Sequence, residues 1–281
     1  MLILQEPEGP DHFFVAGGPV DGLNRLADGG PRYQETPLDP FSADAAAIAE
    51  PWNTVTAALF IGIVGYWLVM LFRRRTSYPF VMACLPILLA GGIGGTIYHA
   101  NRTQKAYFLL DVIPISLLGL AGSCWLTVRL SRSLGWWRIA AYGIGLFVVY
   151  LAVNGLLFSL IQSENKNLRV NLSYASLAVV ILTPISVVLV RTKFRYGRWV
   201  LAAIGCFALA WLCRLVDRTA LSPLSMGTHW LWHIFGAITT QILIAYFVKL
   251  EEERIEYPPL LPVGEFRKDV VGQLGDDHRL V

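Results

Sequence analysis

Seven long apolar segments dominate the chain, and they restrict it to one class of fold. Each has roughly the 20 residues that an α-helix needs to cross about 30 Å of hydrocarbon. Only 15% of the 281 residues are charged, whereas a soluble domain has about 25%. The sequence therefore predicts an all-α integral membrane protein, a multi-pass bundle of seven transmembrane helices. The segments cover residues 52–72, 79–100, 107–129, 138–161, 170–190, 197–216 and 229–250.

Polar sequence flanks the seven segments. Residues 1–50 form an acidic head, residues 51–250 form the bundle, and residues 251–281 form a charged tail. The loops on one side of the bundle carry ten basic residues, and the loops on the other side carry six, which include Arg102 and Arg214. By the positive-inside rule, this difference predicts an outside or lumenal N-terminus and a cytoplasmic C-terminus. The expected partner is therefore the lipid bilayer and not nucleic acid.

Four ionisable residues lie at the ends of apolar segments. His99 ends the second segment, Asp111 begins the third, and His229 and His233 begin the seventh. The predicted topology places all four at a similar depth on one side of the membrane. An Asp at the centre of a membrane helix costs about 2.5–3.5 kcal/mol on insertion scales, so such residues are candidates for function. Three imidazoles predict a catalytic zinc site, which has three protein ligands and an open position for water.

Each of these residues also has a structural interpretation. His229 and His233 are four residues apart and share a helix face, about 6 Å from each other. They could instead lie among the neighbouring tryptophans of an interfacial aromatic belt. His99 could face lipid headgroups, and Asp111 could be a carboxylate near a helix N-terminus, which the helix dipole favours.

Thr96 and a group of glycines precede His99 on the same segment. Thr96 is three residues before His99 and shares its helix face. Its hydroxyl could donate to a substrate carbonyl or a developing oxyanion, or it could donate back to the helix backbone. The glycines of the GGIGG sequence predict a close approach between helices. They are Gly91, Gly92, Gly94 and Gly95.

Four short motifs occur in a specific order along the chain. They are E-x-W-N from Glu50, a histidine that ends the second segment, L-L-D-x-x-P around Asp111, and H-x-x-x-H from His229. Over about residues 50–250, this order resembles the alkaline ceramidases and, more widely, the CREST superfamily of seven-span hydrolases. The resemblance implies a zinc-dependent amidohydrolase that cleaves the N-acyl amide bond of ceramide-like sphingolipids. It also implies that the three histidines hold zinc and that Asp111 completes the catalytic site.

The sequence departs from the family pattern next to His99. The family has a serine four residues before this histidine, where the present chain has Gly95. The interval between His99 and Asp111 is also one residue longer than is usual in the family. Counting back from Asp111 places Thr96 at the serine position, and we therefore assign the hydroxyl role to Thr96.

The resemblance also implies a calcium site. Alkaline ceramidases bind calcium through acidic residues of the N-terminal region, including the glutamate of the E-x-W-N motif. Glu50 matches that glutamate, and Asp39 lies at about the spacing of a second ligand.

Two alternative functions remain open at this stage. The first is lipid esterase or phospholipase chemistry at the same site, which other members of the superfamily would suggest. The second is a non-catalytic, zinc-containing lipid receptor, for which the missing serine is the main argument.

Overall fold

All regular secondary structure in the described part of the chain is helical. The computed structural model describes residues 28–37, 47–74, 76–130, 136–161 and 166–256. Seven helical stretches within these ranges are long and apolar enough to cross a membrane, and α1 and α2 together form the first of them. The prediction of a seven-helix, multi-pass integral membrane protein is confirmed. The helices are α1 (Pro51–Ala57), α2 (Leu59–Phe72), α3 (Pro79–Asn101), α4 (Lys105–Leu130), α5 (Trp136–Ile161), α6 (Lys166–Arg191), α7 (Gly197–Val216) and α8 (His229–Glu256).

The helix starts are fixed by prolines and by distant carboxylates. Pro51 and Pro79 begin α1 and α3, at a position where the missing N–H has no intrahelical partner to lose. The carboxylate of Glu251, on α8, accepts two backbone N–H bonds in the first turn of α3, at 3.0 and 3.2 Å. The carboxylate of Asp217 does the same at the start of α8, at 2.7 and 2.8 Å. These bonds fix how α3, α7 and α8 meet.

Six of the seven spans form a ring, and α5 lies outside it against α4 and α6. In the ring, α8 packs against α1, α2, α3 and α7, whereas α6 and α7 make the sparsest contact between neighbours. Apolar side chains on both sides of α8 fill the interior. One cluster joins α2, α3 and α8 through Val64, Trp67, Leu71, Val81, Leu85, Leu88 and Val248. The other joins α4, α6, α7 and α8 through Leu126, Ile185, Val188, Val200, Tyr246 and Leu250.

The two ends of the bundle differ in chemistry. We call the end at which α3 ends and α8 begins the histidine end, because it holds His99 and His229. The opposite end carries ion pairs between α8 and neighbouring parts of the chain, among them Arg74 with Glu252 and Arg195 with Glu253. The basic loops predict that this opposite end faces the cytoplasm, and this orientation stays a prediction.

The glycines before His99 do allow close helix contact, as predicted. A Cβ at Gly94 would lie 2.6 Å from backbone atoms of Leu110 on α4, and one at Gly91 would lie 3.0 Å from the side chain of Pro114. A Cβ at Gly92 would lie 3.1 Å from the backbone nitrogen of Ile61 on α2. The small residues therefore bring α3 against both of its neighbours, which places His99.

Gly94→Ala should destabilise the protein, because the new methyl group meets backbone that cannot rotate away. Overpacking of this kind costs about 1–3 kcal/mol, and we expect a lower thermal midpoint in detergent. Gly65→Ala in α2 is the matched control, since nothing lies within 4 Å of a Cβ there. The control should be neutral, or more stable by up to about 1 kcal/mol, through helix propensity. A Gly94→Ala midpoint equal to that of Gly65→Ala would contradict the close contact.

Candidate metal centre

Three histidines from two helices meet at the histidine end. His99 lies in the last turn of α3, and His229 and His233 lie in the first turns of α8. All three are buried, and one candidate ligand atom from each lies within 4.8 Å of the others. The ring centroids are separated by 5.4 Å for His99 and His229, and by 4.8 Å for each of the other two pairs. This group could hold one metal ion, as the sequence predicts.

Two of the rings are oriented by hydrogen bonds from the nitrogen that faces away from the cluster. His99 Nδ1 lies 2.5 Å from Glu50 Oε2, and His233 Nδ1 lies 3.0 Å from the hydroxyl oxygen of Thr56. That hydroxyl donates to the carbonyl oxygen of Trp52 at 2.7 Å, so it accepts from His233. Partners of this kind hold the proton on Nδ1 and leave the Nε2 lone pair for a metal.

The Nε2 atom of His99 is buried and has no hydrogen-bond partner among the described residues. A buried polar atom without a partner costs about 1–3 kcal/mol. A metal ion at the centre of the three rings would satisfy this nitrogen. The donor set therefore fits a metal that prefers imidazole ligands.

His229 has a different environment. Its ring stacks on that of Tyr33, with centroids 3.6 Å apart and planes 12° from parallel. Its backbone N–H donates to Asp217, while its Nδ1 lies 3.5 Å from a guanidinium nitrogen of Arg214. The stacking on Tyr33 and the backbone hydrogen bond to Asp217 hold this imidazole in place.

Arg214 is a member of the site that the sequence analysis treated as an ordinary loop charge. It lies in the last turn of α7 and is only 7% exposed. Its Nε donates to the side-chain oxygen of Asn171 at 2.8 Å, and its Nη1 donates to the Tyr33 hydroxyl at 3.3 Å. The rings of Tyr33, Tyr174 and Trp232 surround the guanidinium at 5.3–5.5 Å. This arrangement places a positive charge directly beside the cluster.

Asp111 faces the site from the second turn of α4. A Cβ at Gly95 would lie 2.7 Å from Asp111 Oδ1, so the carboxylate lies against the helix that carries His99. Asp111 is not one of the residues whose atoms are close enough to share the ion. Asp111 therefore lies beside the candidate metal site and is not one of its candidate ligands.

Tyr33 keeps its proton in this environment. Burial raises the pKa of the Tyr33 phenol to about 12, although the nearby Arg214 and Arg102 act in the opposite direction. The phenol is therefore a neutral donor and acceptor at physiological pH.

Thr96 lies one residue beyond the glycine that faces Asp111. Its hydroxyl donates to the backbone carbonyl of Gly92 at 2.7 Å, which is the second of the two arrangements considered from the sequence. Gly95, the residue at the position of the family serine, is the one that lies against Asp111. The oxyanion role of Thr96 stays a prediction.

A short stretch of the polar head lies over the histidines. We call residues 28–37 the cover segment. Within it, Tyr33 stacks on His229, the backbone N–H of Gln34 donates to Asp217 at 2.9 Å, and Glu35 accepts two backbone N–H bonds at the start of α1. The cover segment contains no residue that was predicted for the site, and these contacts show that this part of the acidic head belongs to it.

Glu50 is a central residue of this end of the bundle. It is buried, and its backbone N–H donates to the carbonyl oxygen of His99 at 3.1 Å. Burial would raise the pKa of its carboxyl, but the charge of Arg102 and the hydrogen bond with His99 outweigh burial and lower the pKa to about 2. Glu50 is therefore a carboxylate at any physiological pH. Asp39, the other predicted calcium ligand, lies outside the described residues.

Comparison with protein-family models gives no match to this chain, and no curated protein matches it. The resemblance to alkaline ceramidases therefore stays an expectation from the motifs. What the chain does is argued below from the geometry of the histidine end.

Proposed function

We propose that this protein is a zinc-dependent hydrolase that works in the membrane and cleaves the N-acyl amide bond of ceramide-like lipids. The observation that carries the proposal is the buried group of three histidines at the end of a seven-helix membrane bundle. A metal site of this kind inside a membrane protein is expensive to build and points to function. We also propose, from the basic loops, that the histidine end faces the outside or the lumen.

The three histidines would hold zinc as neutral nitrogen ligands, and Glu50 and Thr56 would orient two of the rings. When bound, zinc supplies a water with a pKa near 7 and polarises an acyl carbonyl. Asp111 would accept the proton from the attacking water at its carboxylate and pass it to the leaving nitrogen. Arg214, beside His229, would stabilise the negative charge that develops on the acyl oxygen.

The substrate would reach this site from the lipid and not from the water. The cover segment lies over the histidine end and stacks on His229, which restricts entry along the bundle axis. The contact between α6 and α7 is the sparsest in the ring, so acyl chains could enter between these two helices. Arg214 and Asn171 join α7 to α6 at the histidine end, where the polar headgroup would lie.

Removal of the metal tests the proposal directly. Purified protein in detergent should release fatty acid from a ceramide with a fluorescent acyl chain, and it should hold about one zinc per chain by elemental analysis. Dialysis against a zinc chelator should abolish the release, and added zinc should restore it. Zinc-loaded protein that releases no fatty acid from ceramide would exclude the proposed amide cleavage, and release that persists without metal would exclude the zinc mechanism.

A lipid receptor with a non-catalytic metal is the second candidate. The specific observation in its favour is that Gly95 replaces the family serine while the hydroxyl of Thr96 is bonded to the helix backbone. Such a protein would hold zinc and bind ceramide in a saturable way without cleaving amide or ester lipids. The assay above separates the two candidates, because only the hydrolase produces fatty acid.

A further inference from the structure

Arg102 is the most completely buried cation at the histidine end of the described structure. It follows α3 directly and has an exposure of 0%. Its Nε donates to Asp28 Oδ2 at 2.8 Å, and its Nη2 donates to the carbonyl oxygen of Pro31 at 2.7 Å. Its Nη1 donates to the hydroxyl oxygen of Thr36 at 3.1 Å and to a carboxylate oxygen of Glu50. One guanidinium therefore joins three residues of the cover segment to the glutamate beside the metal centre.

The second oxygen of Glu50 continues this connection to the metal centre. Glu50 Oε2 lies 2.5 Å from His99 Nδ1 and accepts from the side-chain amide of Asn53 at 3.0 Å. Both carboxylate oxygens are thus fully used. The cover segment, Arg102, Glu50 and His99 form one continuous hydrogen-bonded chain, and His99 ends it with its unpartnered Nε2.

These contacts do not fit the calcium site that the resemblance implies. Calcium binds six to eight oxygens at 2.3–2.6 Å, and it would have to use the carboxylate of Glu50. Here the guanidinium of Arg102 lies among four oxygens of the kind that calcium prefers, two from carboxylates, one from a hydroxyl and one from a carbonyl. The positive charge that these oxygens require is already present.

We propose that Arg102 is a built-in cation that takes the place of a bound calcium ion and fastens the cover segment to the metal centre. In this role Arg102 is a positioning residue, because it acts on His99 through Glu50. The protein then needs no calcium. This proposal does not rest on the hydrolase activity, since it concerns how the described residues are held together.

The fit of the surrounding residues supports the proposal. The rings of Tyr98 and Tyr33 lie 4.5 and 5.3 Å from the guanidinium carbon, so each presents a π-face to the charge. A Cβ at Gly30 would lie 2.1 Å from the hydroxyl oxygen of Tyr98, which shows how closely the cover segment lies on α3. The guanidinium therefore lies between two aromatic rings and four oxygen acceptors.

A simpler explanation of Arg102 makes the opposite prediction. Arg102 has a left-handed backbone conformation, with φ at 51°, and this position after a helix favours glycine. If Arg102 only ended α3, Arg102→Gly would relieve backbone strain and raise stability. If the guanidinium is the built-in cation, Arg102→Gly leaves two buried carboxylates without their partner, which is strongly destabilising.

The first experiment compares Arg102→Gly with Lys193→Gly in thermal unfolding of the full chain in detergent. Lys193 also has φ at 51° but is exposed, so its substitution tests the backbone effect alone. We expect the midpoint of Arg102→Gly to fall by about 5 °C or more, while that of Lys193→Gly is unchanged or higher. An Arg102→Gly midpoint at or above that of the wild type would overturn the proposal.

A thermodynamic cycle keeps the test valid if Arg102→Gly fails to fold. We would measure Arg102→Gln, Asp28→Asn and the double variant. Since Arg102 and Asp28 bond directly, the double variant should lose less stability than the sum of the single losses. Additive losses would contradict a direct role for the charge.

The wild-type protein tests the calcium statement without any substitution. Calorimetric titration of the zinc-loaded wild type with a calcium salt should show no binding. Millimolar calcium should leave the midpoint of thermal unfolding unchanged within about 1 °C, whereas a specifically bound calcium ion would raise it. Binding of one calcium per chain together with a higher midpoint would overturn the proposal. A negative result in the hydrolase assay would not change the expected results of these three measurements.

Discussion

His99→Ala should empty the metal centre and abolish lipid turnover. His99 is the one candidate ligand that comes from α3, and its Nε2 has no hydrogen-bond partner in the described structure. With only His229 and His233 left, both from one helix face, the site lacks the three protein ligands of catalytic zinc sites. We expect zinc to fall from about one per chain to near zero. Loss of several kcal/mol of charge stabilisation would lower turnover by about 10³-fold or more.

Thr56→Val provides a graded comparison for this prediction. It removes only the acceptor of the His233 Nδ1 proton and leaves all three ligands. Loss of such a partner usually weakens metal binding by about 10–100-fold. Thr56→Val should therefore bind zinc when the free zinc concentration is high, and it should lose the metal at a higher free zinc concentration than the wild type does. His278→Ala, in the tail that follows α8, is a control that should keep both zinc and activity. Full zinc content in His99→Ala would contradict the three-histidine site.

The sequence predicted those parts of the fold and site that depend on local pattern. The length of the apolar segments predicted the seven spans. The spacing of His229 and His233 predicted a shared helix face, and the position of His99 at a segment end predicted that it meets them. These inferences succeed because hydropathy and helical periodicity are properties of neighbouring residues.

The sequence could not predict the contacts made by distant parts of the chain. Arg102 and Arg214 were counted as loop charges when the basic residues on each side were compared, yet both are buried beside the histidines. Their partners come from the cover segment and from α6, for example Asp28 and Asn171. No periodicity links a polar head to a helix end some seventy residues later. Only the folded arrangement shows that these charges are paired or enclosed.

Near His99, the motif pattern and the structure point to different residues as the neighbour of Asp111. Counting from Asp111 favoured Thr96 as the hydroxyl residue, while the backbone places Gly95 against the Asp111 carboxylate. A one-residue shift on a helix turns a side chain by about 100°. The Cβ of a serine at position 95 would lie 2.7 Å from Asp111 Oδ1, so the Asp111 side chain would have to move away.

Asp111→Asn should abolish most of the turnover and leave zinc in place. The carboxylate lies beside the histidines but is outside the group of atoms that could share the ion. The amide of asparagine has nearly the same size and fits the space against Gly95, but it cannot accept the proton of the attacking water. General base catalysis contributes about 10²–10⁴-fold, and we expect kcat to fall by that factor with the zinc content unchanged.

Glu252→Gln is the matched control, because it makes the same change from carboxylate to amide at the opposite end of α8. Glu252 pairs there with Arg74 and Lys249, far along the helix from His229 and His233. The control should keep the wild-type kcat and zinc content. If Asp111→Asn also keeps its kcat within a few-fold of the wild type, Asp111 is not the proton acceptor. The proton would then have to leave through another group at the histidine end. Loss of zinc together with kcat in Asp111→Asn would instead mean that the carboxylate supports the metal ligands, which would move Asp111 from a catalytic to a positioning role.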